Sequence, residues 1–489
     1  MTAHAAPAID GAMRRALLAT ASSQPLLPKL AAIVGSKHVV TDPDILAPHL
    51  SEWRGLYTGR AQAMVRPGST EEVAAILKLA HEAGAPIVPQ GGNTGGVGGQ
   101  IPDQSGRAIL LSLARMNRVR DAQPLSNMMT VEAGVLLQDV QAEAARIDRY
   151  YPLSLPSEGS CMIGGNLATN AGGTGVIAYG NTRDLVLGLE VVLPDGRVWN
   201  GLSGLRKDNA GYDMKHLFIG SEGTLGVITA ATLKLFARPR SLVTAFVGVA
   251  SPARALALLA RAQGGSGGLV TTFEVMPRLA IDMVLRNGAQ VRDPLAGRHV
   301  WYVLLEISSQ DEHGLQDKVE TMLAGAFEAE EAEDAVLASS LDQRMNLWKI
   351  REDLPFAQGV EGASIKHDVS VPVADAPAFL DETLAMLAER FPGARPCPFG
   401  HLGDGNIHFN VTQPEGWDKA RFMALYDEMN AAVFDIVRRY GGSIAAEHGV
   451  GQHKRRLLPF YKDPVALDLM RTLKAAIDPR GIMNPGKVL

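Results

Sequence analysis

Cysteine is nearly absent from this chain: its 489 residues include two, Cys161 and Cys397. That excludes a disulfide framework and points to a reducing compartment, the cytoplasm, or the mitochondrion if the source is eukaryotic. No run of about 18 or more apolar residues occurs, so no membrane-spanning helix is expected. A net charge of −5 gives no reason to expect nucleic acid or an anionic membrane as partner. No Gly-rich loop ends in Gly-Lys-Ser/Thr, which excludes a P-loop. Internal repeats and low-complexity tracts are lacking. The opening segment Met1–Ser22 holds Arg14, Arg15 and one acid, Asp10, but no apolar core of the secretory kind. It reads as a ragged terminus leading into a helix rather than a targeting peptide.

Glycine, by contrast, is abundant and clustered. One group spans Gly91 to Gly99, a second Gly159 to Gly180, and a third Gly220 to Gly226. Between them lie short apolar runs followed by turn residues, such as Ile109–Leu113 and Leu187–Leu193, which predict strands. Ser69 with Glu72 three residues on predicts a capping box, followed by Val73, Ile76, Leu77 and Ala80 at helical spacing up to Gly84. Strand and helix thus alternate from about Ala63 to Ala237, a mixed α/β pattern. Arg238-Pro239-Arg240 marks a boundary. Beyond it, Val243–Val249 predicts a strand, Pro252–Ala262 a helix, Gly264–Gly268 a flexible turn and Asp463–Ile477 a last helix. The acidic run Glu328–Asp334 predicts a solvated helix face.

Glycine lets a backbone approach a pyrophosphate closely and aim successive amides at it. Three such clusters between apolar strands suggest a long phosphate-bearing cofactor. Gly173-Thr174-Gly175-Val176-Ile177-Ala178 spells a dinucleotide fingerprint, but no amphipathic helix follows, so a Rossmann site is not supported.

A second constellation lies near the C-terminus, at His401-Leu402-Gly403-Asp404-Gly405-Asn406-Ile407-His408-Phe409-Asn410. Asp404-Gly405 favours a two-residue hairpin turn. That register would set Gly403 against Asn406, Leu402 against Ile407 and His401 directly opposite His408, close enough to share a metal ion. Asn410 would point to the same face as His408. Glu447 can supply a third ligand, and two His with one carboxylate is a catalytic metal pattern. Nitrogen and oxygen ligands permit zinc, manganese or iron, with zinc the first expectation. His81, His367 and His453 lack such support and read as structural.

Three segments together resemble a known family. They are Pro89-Gln90-Gly91-Gly92-Asn93-Thr94-Gly95; Pro156 to Gly159 with Gly164-Gly165, Thr169-Asn170 and Gly172-Gly173; and Glu222-Gly223 with Gly226-Val227-Ile228. In order and spacing the chain resembles the FAD-binding oxidoreductases of the vanillyl-alcohol oxidase type. The C-terminal part, with His401–Asn410, Glu447-His448-Gly449 and Asn484-Pro485-Gly486-Lys487, resembles the branch that oxidises D-2-hydroxy acids. The resemblance covers roughly residues 40 to 489. It implies an α+β fold, with a two-subdomain FAD-binding domain and a C-terminal α+β substrate domain built on an antiparallel sheet. The corresponding division is 1–55, an N-terminal helical segment and first part of the FAD domain; 56–238, the FAD-binding domain; 239–460, the substrate and metal domain; and 461–489, a segment returning to the flavin.

By that resemblance the 89–95 loop and the 159–175 segment, including Gly175, would cradle the FAD pyrophosphate. Glu222 to Ile228 would line the adenosine and ribityl region, with Asn484 also at the flavin. No His stands in positions 89–99, so the flavin is expected to be non-covalent. The implied reaction oxidises a D-2-hydroxy acid to the 2-oxo acid, with D-2-hydroxyglutarate first and D-lactate or glycolate as alternatives. The metal would polarise the substrate hydroxyl, and His448 would take its proton, since an imidazole titrates near working pH. In an extended strand Glu447 and His448 would point apart, so the scheme needs a bend, which Gly449 permits. Arg351 and Lys366 match cations that hold the substrate's carboxylates. Pro355 departs from the pattern, standing where the 2-hydroxyglutarate branch has a hydroxyl residue. An external electron acceptor is implied: a quinone, an electron-transfer flavoprotein or a cytochrome. A homodimer is the default assembly. A zinc hydrolase and a non-catalytic flavin or metabolite sensor are the readings from other classes.

Overall fold

The computed structural model describes residues 26–288 and 291–489, and the expectation for Met1–Ser22 lies outside them. The first sheet has four strands in the order Val39–Val40, Ala61–Val65, Ala108–Ser112, Ile87–Gln90. The last three run parallel. Parallel neighbours need a crossover, and the helix Thr70–Ala83 supplies it, with Val73, Ile76, Leu77 and Ala80 buried on one face. Ser69 caps its first turn by accepting the Glu72 amide (3.3 Å), and Gly84 ends it at φ 65°. The capping box closes differently from expectation: the Glu72 carboxylate accepts from Gly68 N (2.7 Å), one residue before the cap.

A second, antiparallel sheet follows, in the order Val119–Gln123, Met128–Glu132, Val227–Lys234, Val186–Val192, Val198–Gly201. The glycine clusters are the connections where these sheets meet. One leaves the strand Ile87–Gln90, one holds the short helix Ile163–Thr169, and one enters the strand Val227–Lys234. The chain end returns to the same place: Met483 bridges Ile87, and Asn484 N donates to Ile87 O (2.8 Å).

The C-terminal half is built on seven antiparallel strands, ordered Asp334–Leu337, Ser241–Val249, Trp301–Ser309, Leu269–Pro277, Arg395–His401, Asn406–Thr412, Ser364–Ser370. Residues alternate between the faces of a sheet. Phe273, Val275, Ile365, Val369, Ile407, Phe409 and Val411 pack on one face, in a core shared with the helices Pro252–Gly265, Ala376–Arg390 and Tyr426–Arg439. The intervening Glu274, Lys366, Asp368, Asn406, His408 and Asn410 therefore face the other way. That polar row is what the fold presents to the glycine loops.

Two expectations are corrected here. The helix Leu315–Glu328 ends where the acidic run begins, and Glu331 beyond it pairs with Arg261. The run is thus a turn into the strand Asp334–Leu337 rather than a helix face. The helix Pro252–Gly265 also continues through Gly264 and Gly265, leaving a shorter turn.

Phe409 is fully buried directly behind His408. Phe409→Ala should cost about 3–5 kcal/mol in guanidinium denaturation, whereas Phe356→Ala, at a side chain 66% exposed, should stay within about 0.5 kcal/mol. Equal losses from the two variants would contradict this placement of the core.

Candidate active site

The two strands of the His hairpin pair with His401 against Asn406, Gly400 against Ile407 and Phe399 against His408. The turn is therefore four residues long, a 3-10 turn over Leu402–Asp404 closed by Gly405 at φ 80°, and not the two-residue turn expected. His401 and His408 are diagonal rather than opposite. Because the register differs by an even number of residues, both still face the same side. Their ring centroids are 5.4 Å apart.

Glu447 lies between them. Its Oε1 is 3.5 Å from His408 Nε2 and its Oε2 is 3.9 Å from His401 Nε2. Ligands about 2.0–2.2 Å from a tetrahedral ion stand roughly 3.3–3.6 Å apart, a separation that the His408–Glu447 pair meets and the His401–Glu447 pair exceeds. Two buried acids complete the arrangement, and neither was singled out from the sequence. Glu274 accepts from His401 Nδ1 and from Arg351 Nε. Asp368 lies on the Nδ1 side of His408 (3.9 Å) and of His448 (3.4 Å). Asp368, His408, Glu447 and His448 form a compact donor group of their own. However, the Asp368 carboxylate already accepts from Asn406 Nδ2 and from the amides of Glu447 and His448. Asp368 thus orients the Glu447–His448 segment, and His401, expected as a ligand, stands outside that compact donor group. A buried acid inside an apolar strand, as in Phe273-Glu274-Val275, was the signal available for Glu274.

The segment bearing Glu447 and His448 is not a strand, which removes the objection that the two must point apart. It curls around Asp368 and turns at Gly449 (φ 81°). Beyond the turn, the amides of Val450 and Gly451 both donate to Glu222 at 2.7 Å. Glu222, expected along the adenosine and ribityl region, thus also clamps this loop, itself in a left-handed conformation (φ 51°). His448 Nε2 is 3.5 Å from Glu447 Oε1, and its ring stacks on His408.

A cleft of about 940 Å³, counting its open mouth, runs from this cluster between the two N-terminal sheets. It brings together Pro89 to Gly95, Gly164, Gly165, Thr169, Glu222, Gly223, Gly226, Val227, Ile228 and also His448. Pro156, Gly159, Asn170, Gly172, Gly173, Gly175 and Asn484 do not line it. Gly173 N donates instead to Glu447 Oε2 (3.2 Å), Asn170 accepts from the Arg183 amide, and Asn484 Nδ2 ties Gly99 O to Glu222 O. These residues brace the walls. Among the described residues the amides of Gly92, Asn93, Thr94 and Gly95 meet no protein acceptor, and Asn166 Nδ2 is buried without a partner. Free amides on a glycine loop suit a pyrophosphate. A side chain at Gly92 would collide with the Ser160 carbonyl. The residues fit a dinucleotide such as FAD.

The substrate cations are placed differently from each other. Arg351 is buried, held by Glu274 through Nε (2.6 Å) and laid over Phe399 (4.7 Å). Lys366 pairs across the sheet with Asn410, two residues from Asp368 on the same face. Asn410 Nδ2 donates to Gln358 Oε1 (2.9 Å). Pro355 is exposed in the first turn of the helix Leu354–Val360. Of the three histidines read as structural, His453 is held by Tyr57 and Tyr426 hydroxyls and His367 by Phe409 O.

Burial and charge set the imidazoles apart. Burial disfavours the His401 cation, but the Glu274 carboxylate overrides it and raises His401 to about 9. Burial lowers His408 to about 4, leaving it neutral and ready to ligate. Asp368 is held far below the usual carboxylate range: burial opposes its charge, but His448, Lys454 and His408 outweigh that.

Comparison with known proteins shows the family. An FAD binding domain model matches residues 61–201, and the C-terminal domain model of FAD linked oxidases matches residues 238–488. The chain is 36% identical over 459 residues to the mitochondrial D-2-hydroxyglutarate dehydrogenase of Arabidopsis thaliana, covering 94% of this chain and 80% of that protein. It is also 36% identical to the D-2-hydroxyglutarate dehydrogenase of Xanthomonas citri pv. viticola, covering 95% and 97%. Among solved structures, p-cresol methylhydroxylase superposes with a TM-score of 0.73 at 17% identity, covering 95% of this chain and 96% of that one.

In the metal-free protein the His401 cation contributes stability that is complete below about pH 6.5 and lost as pH rises through about 9. Glu274→Gln removes the strongest upward influence and leaves burial and Arg351 opposed only by Glu447, so the His401 pKa should fall from about 9 in an NMR titration. An unchanged high value would show that Glu274 is not the cause.

Proposed function

The chain belongs to the FAD-linked oxidases of the vanillyl-alcohol oxidase type, and on that premise we propose that it oxidises D-2-hydroxyglutarate to 2-oxoglutarate. The observation that carries the reading is the position of His448. It lines the FAD cleft and touches the His408–Glu447 cluster at the same time. A hydrolase has no use for that junction.

FAD, when bound, would supply the hydride acceptor in the cleft. A divalent ion, zinc by donor preference, would be held by His401, His408 and Glu447 and would supply Lewis-acid polarisation of an α-hydroxy carboxylate. The protein's own groups do the rest. Asp368 faces His448 Nδ1 (3.4 Å), which leaves Nε2, 3.5 Å from Glu447 Oε1, as the acceptor for the hydroxyl proton. That proton passes to His448 Nε2 as the C2 hydrogen leaves with its electron pair, and the C–O bond becomes a carbonyl. Arg351, steadied by Glu274, offers both Nη groups to a substrate carboxylate; neither makes a hydrogen bond among the described residues.

The flavin is non-covalent in this reading, since no His lies in the 89–99 loop. An external acceptor, a quinone, an electron-transfer flavoprotein or a cytochrome, would take up the electrons. The free, buried Cys161 and Cys397 suit a reducing compartment, whether cytoplasm or mitochondrial matrix. D-Lactate and glycolate are the competing substrates within the same chemistry.

The test is a panel of D- and L-2-hydroxy acids mixed anaerobically with the holoenzyme, reading loss of flavin absorbance without an added acceptor. D-2-Hydroxyglutarate should bleach the flavin faster than D-lactate or glycolate, and L-acids should not. His448→Ala should slow bleaching by about 10²–10⁴-fold with flavin content unchanged. Failure of every D-acid would overturn the proposal.

A further inference from the structure

Between the helices Tyr426–Arg439 and Leu458–Tyr461, residues 441–457 form no helix or strand apart from an isolated bridge at Ser443. A segment of this kind keeps its shape only through the partners of its backbone and side chains. On one side those partners belong to the C-terminal sheet, where Asp368 takes the amides of Glu447 (3.1 Å) and His448 (2.9 Å). On the other side they come from all three glycine clusters. From the first, Val97 O accepts the amides of Gln452 (3.0 Å) and His453 (3.3 Å), and Gly98 O accepts from Gln452 Nε2 (2.9 Å). From the second, Gly173 N donates to Glu447 Oε2 (3.2 Å). From the third, Glu222 takes the amides of Val450 and Gly451, one on each carboxylate oxygen. The loop that carries Glu447 and His448 is therefore seated on the walls of the flavin cleft.

Glu222 is the joint between loop and cleft. It lines the cleft together with Val97, Gly99 and Ala168. Its own amide donates to Ala168 O (2.8 Å), and its carbonyl accepts from Asn484 Nδ2 (2.7 Å). Space is tight on both sides of its carboxylate. A Cβ on Gly99 would stand 3.2 Å from one oxygen, and a Cβ on Gly449 would stand 2.8 Å from the other. The same cleft is bordered by the amides of Gly92 to Gly95, which meet no protein acceptor among the described residues. A ligand that receives those amides orders the wall, and an ordered wall lowers the entropy cost of seating the loop.

We propose that Glu222 is a positioning residue that couples the two sites, so that FAD in the cleft and a divalent ion on Glu447 bind cooperatively. The inference rests on the flavin and metal sites of the function proposed above and adds a dependence between them. It holds for either ion position. Glu447 belongs to the set with His401 and His408 and also to the compact group with Asp368, His408 and His448. Linkage makes the effect reciprocal: the factor that the ion adds to FAD affinity is the factor that FAD adds to ion affinity.

The test uses the full-length protein stripped of metal by a chelator, with Zn2+ as the added ion. Flavin fluorescence gives the Kd of FAD with and without Zn2+, and calorimetry gives the Kd of Zn2+ with and without FAD. The parent should show one factor in both directions, about 5- to 150-fold. Glu222→Gln keeps the side chain's shape but offers one acceptor to two amides, and its factor should fall close to one. Gly449→Ala presses on the same contact from the loop side and should act likewise, and the two changes together should lose no more of the factor than either alone. A merely structural Glu222 would weaken FAD equally with and without Zn2+, leaving the ratio intact. That result, or a parent whose FAD affinity ignores Zn2+, overturns the inference. If D-2-hydroxyglutarate still bleaches the flavin of the Zn2+-loaded parent, the proposed reaction stands without the coupling; if bleaching is absent as well, both fail.

Discussion

A buried carboxylate must be given donors, and Asp368 draws three from two segments at once. Asn406 in the hairpin and the amides of Glu447 and His448 all point at it. Without them an ionised acid under this sheet would cost several kcal/mol. Its satisfaction forces the 447–448 segment to curl rather than extend, which lets adjacent residues serve one site. Glu222 repeats the device from the flavin side by taking the amides of Val450 and Gly451. The loop that carries Glu447 and His448 is thus strung between two buried acids, one under the C-terminal sheet and one beside the cleft. Its position is fixed by backbone hydrogen bonds, so the side chains of Glu447 and His448 remain available for chemistry.

Much of this was legible in the residues. The glycine clusters marked the connections around the cleft because only glycine permits such approaches, as at Gly92 against Ser160. The His pair was legible although its register was not. Asp404-Gly405 suggested the tightest turn, but Leu402 takes part in the turn instead of pairing with Ile407, and the error was even-numbered. An odd slip would have sent one imidazole into the core beside Phe409.

What stayed hidden depends on contacts distant in sequence. Glu274 lies 127 positions from His401 and holds its Nδ1, and local pattern says nothing of such a pair. Asn484 and Gly173 were expected at the cofactor because they match segments of the family. In the structure they support the residues that line the cleft, a distinction that composition cannot make. Glu222 does both.

We propose that His401, His408 and Glu447 share one divalent ion at the mouth of the flavin cleft. Anomalous diffraction from crystals of the holoenzyme with 2-oxoglutarate, collected at the metal's absorption edge, tests it directly. A single strong peak about 2.0–2.2 Å from His401 Nε2, His408 Nε2 and a Glu447 oxygen is the predicted result. A fully active enzyme with no anomalous peak there, or with a peak on Asp368 and His448 in place of His401, would contradict it.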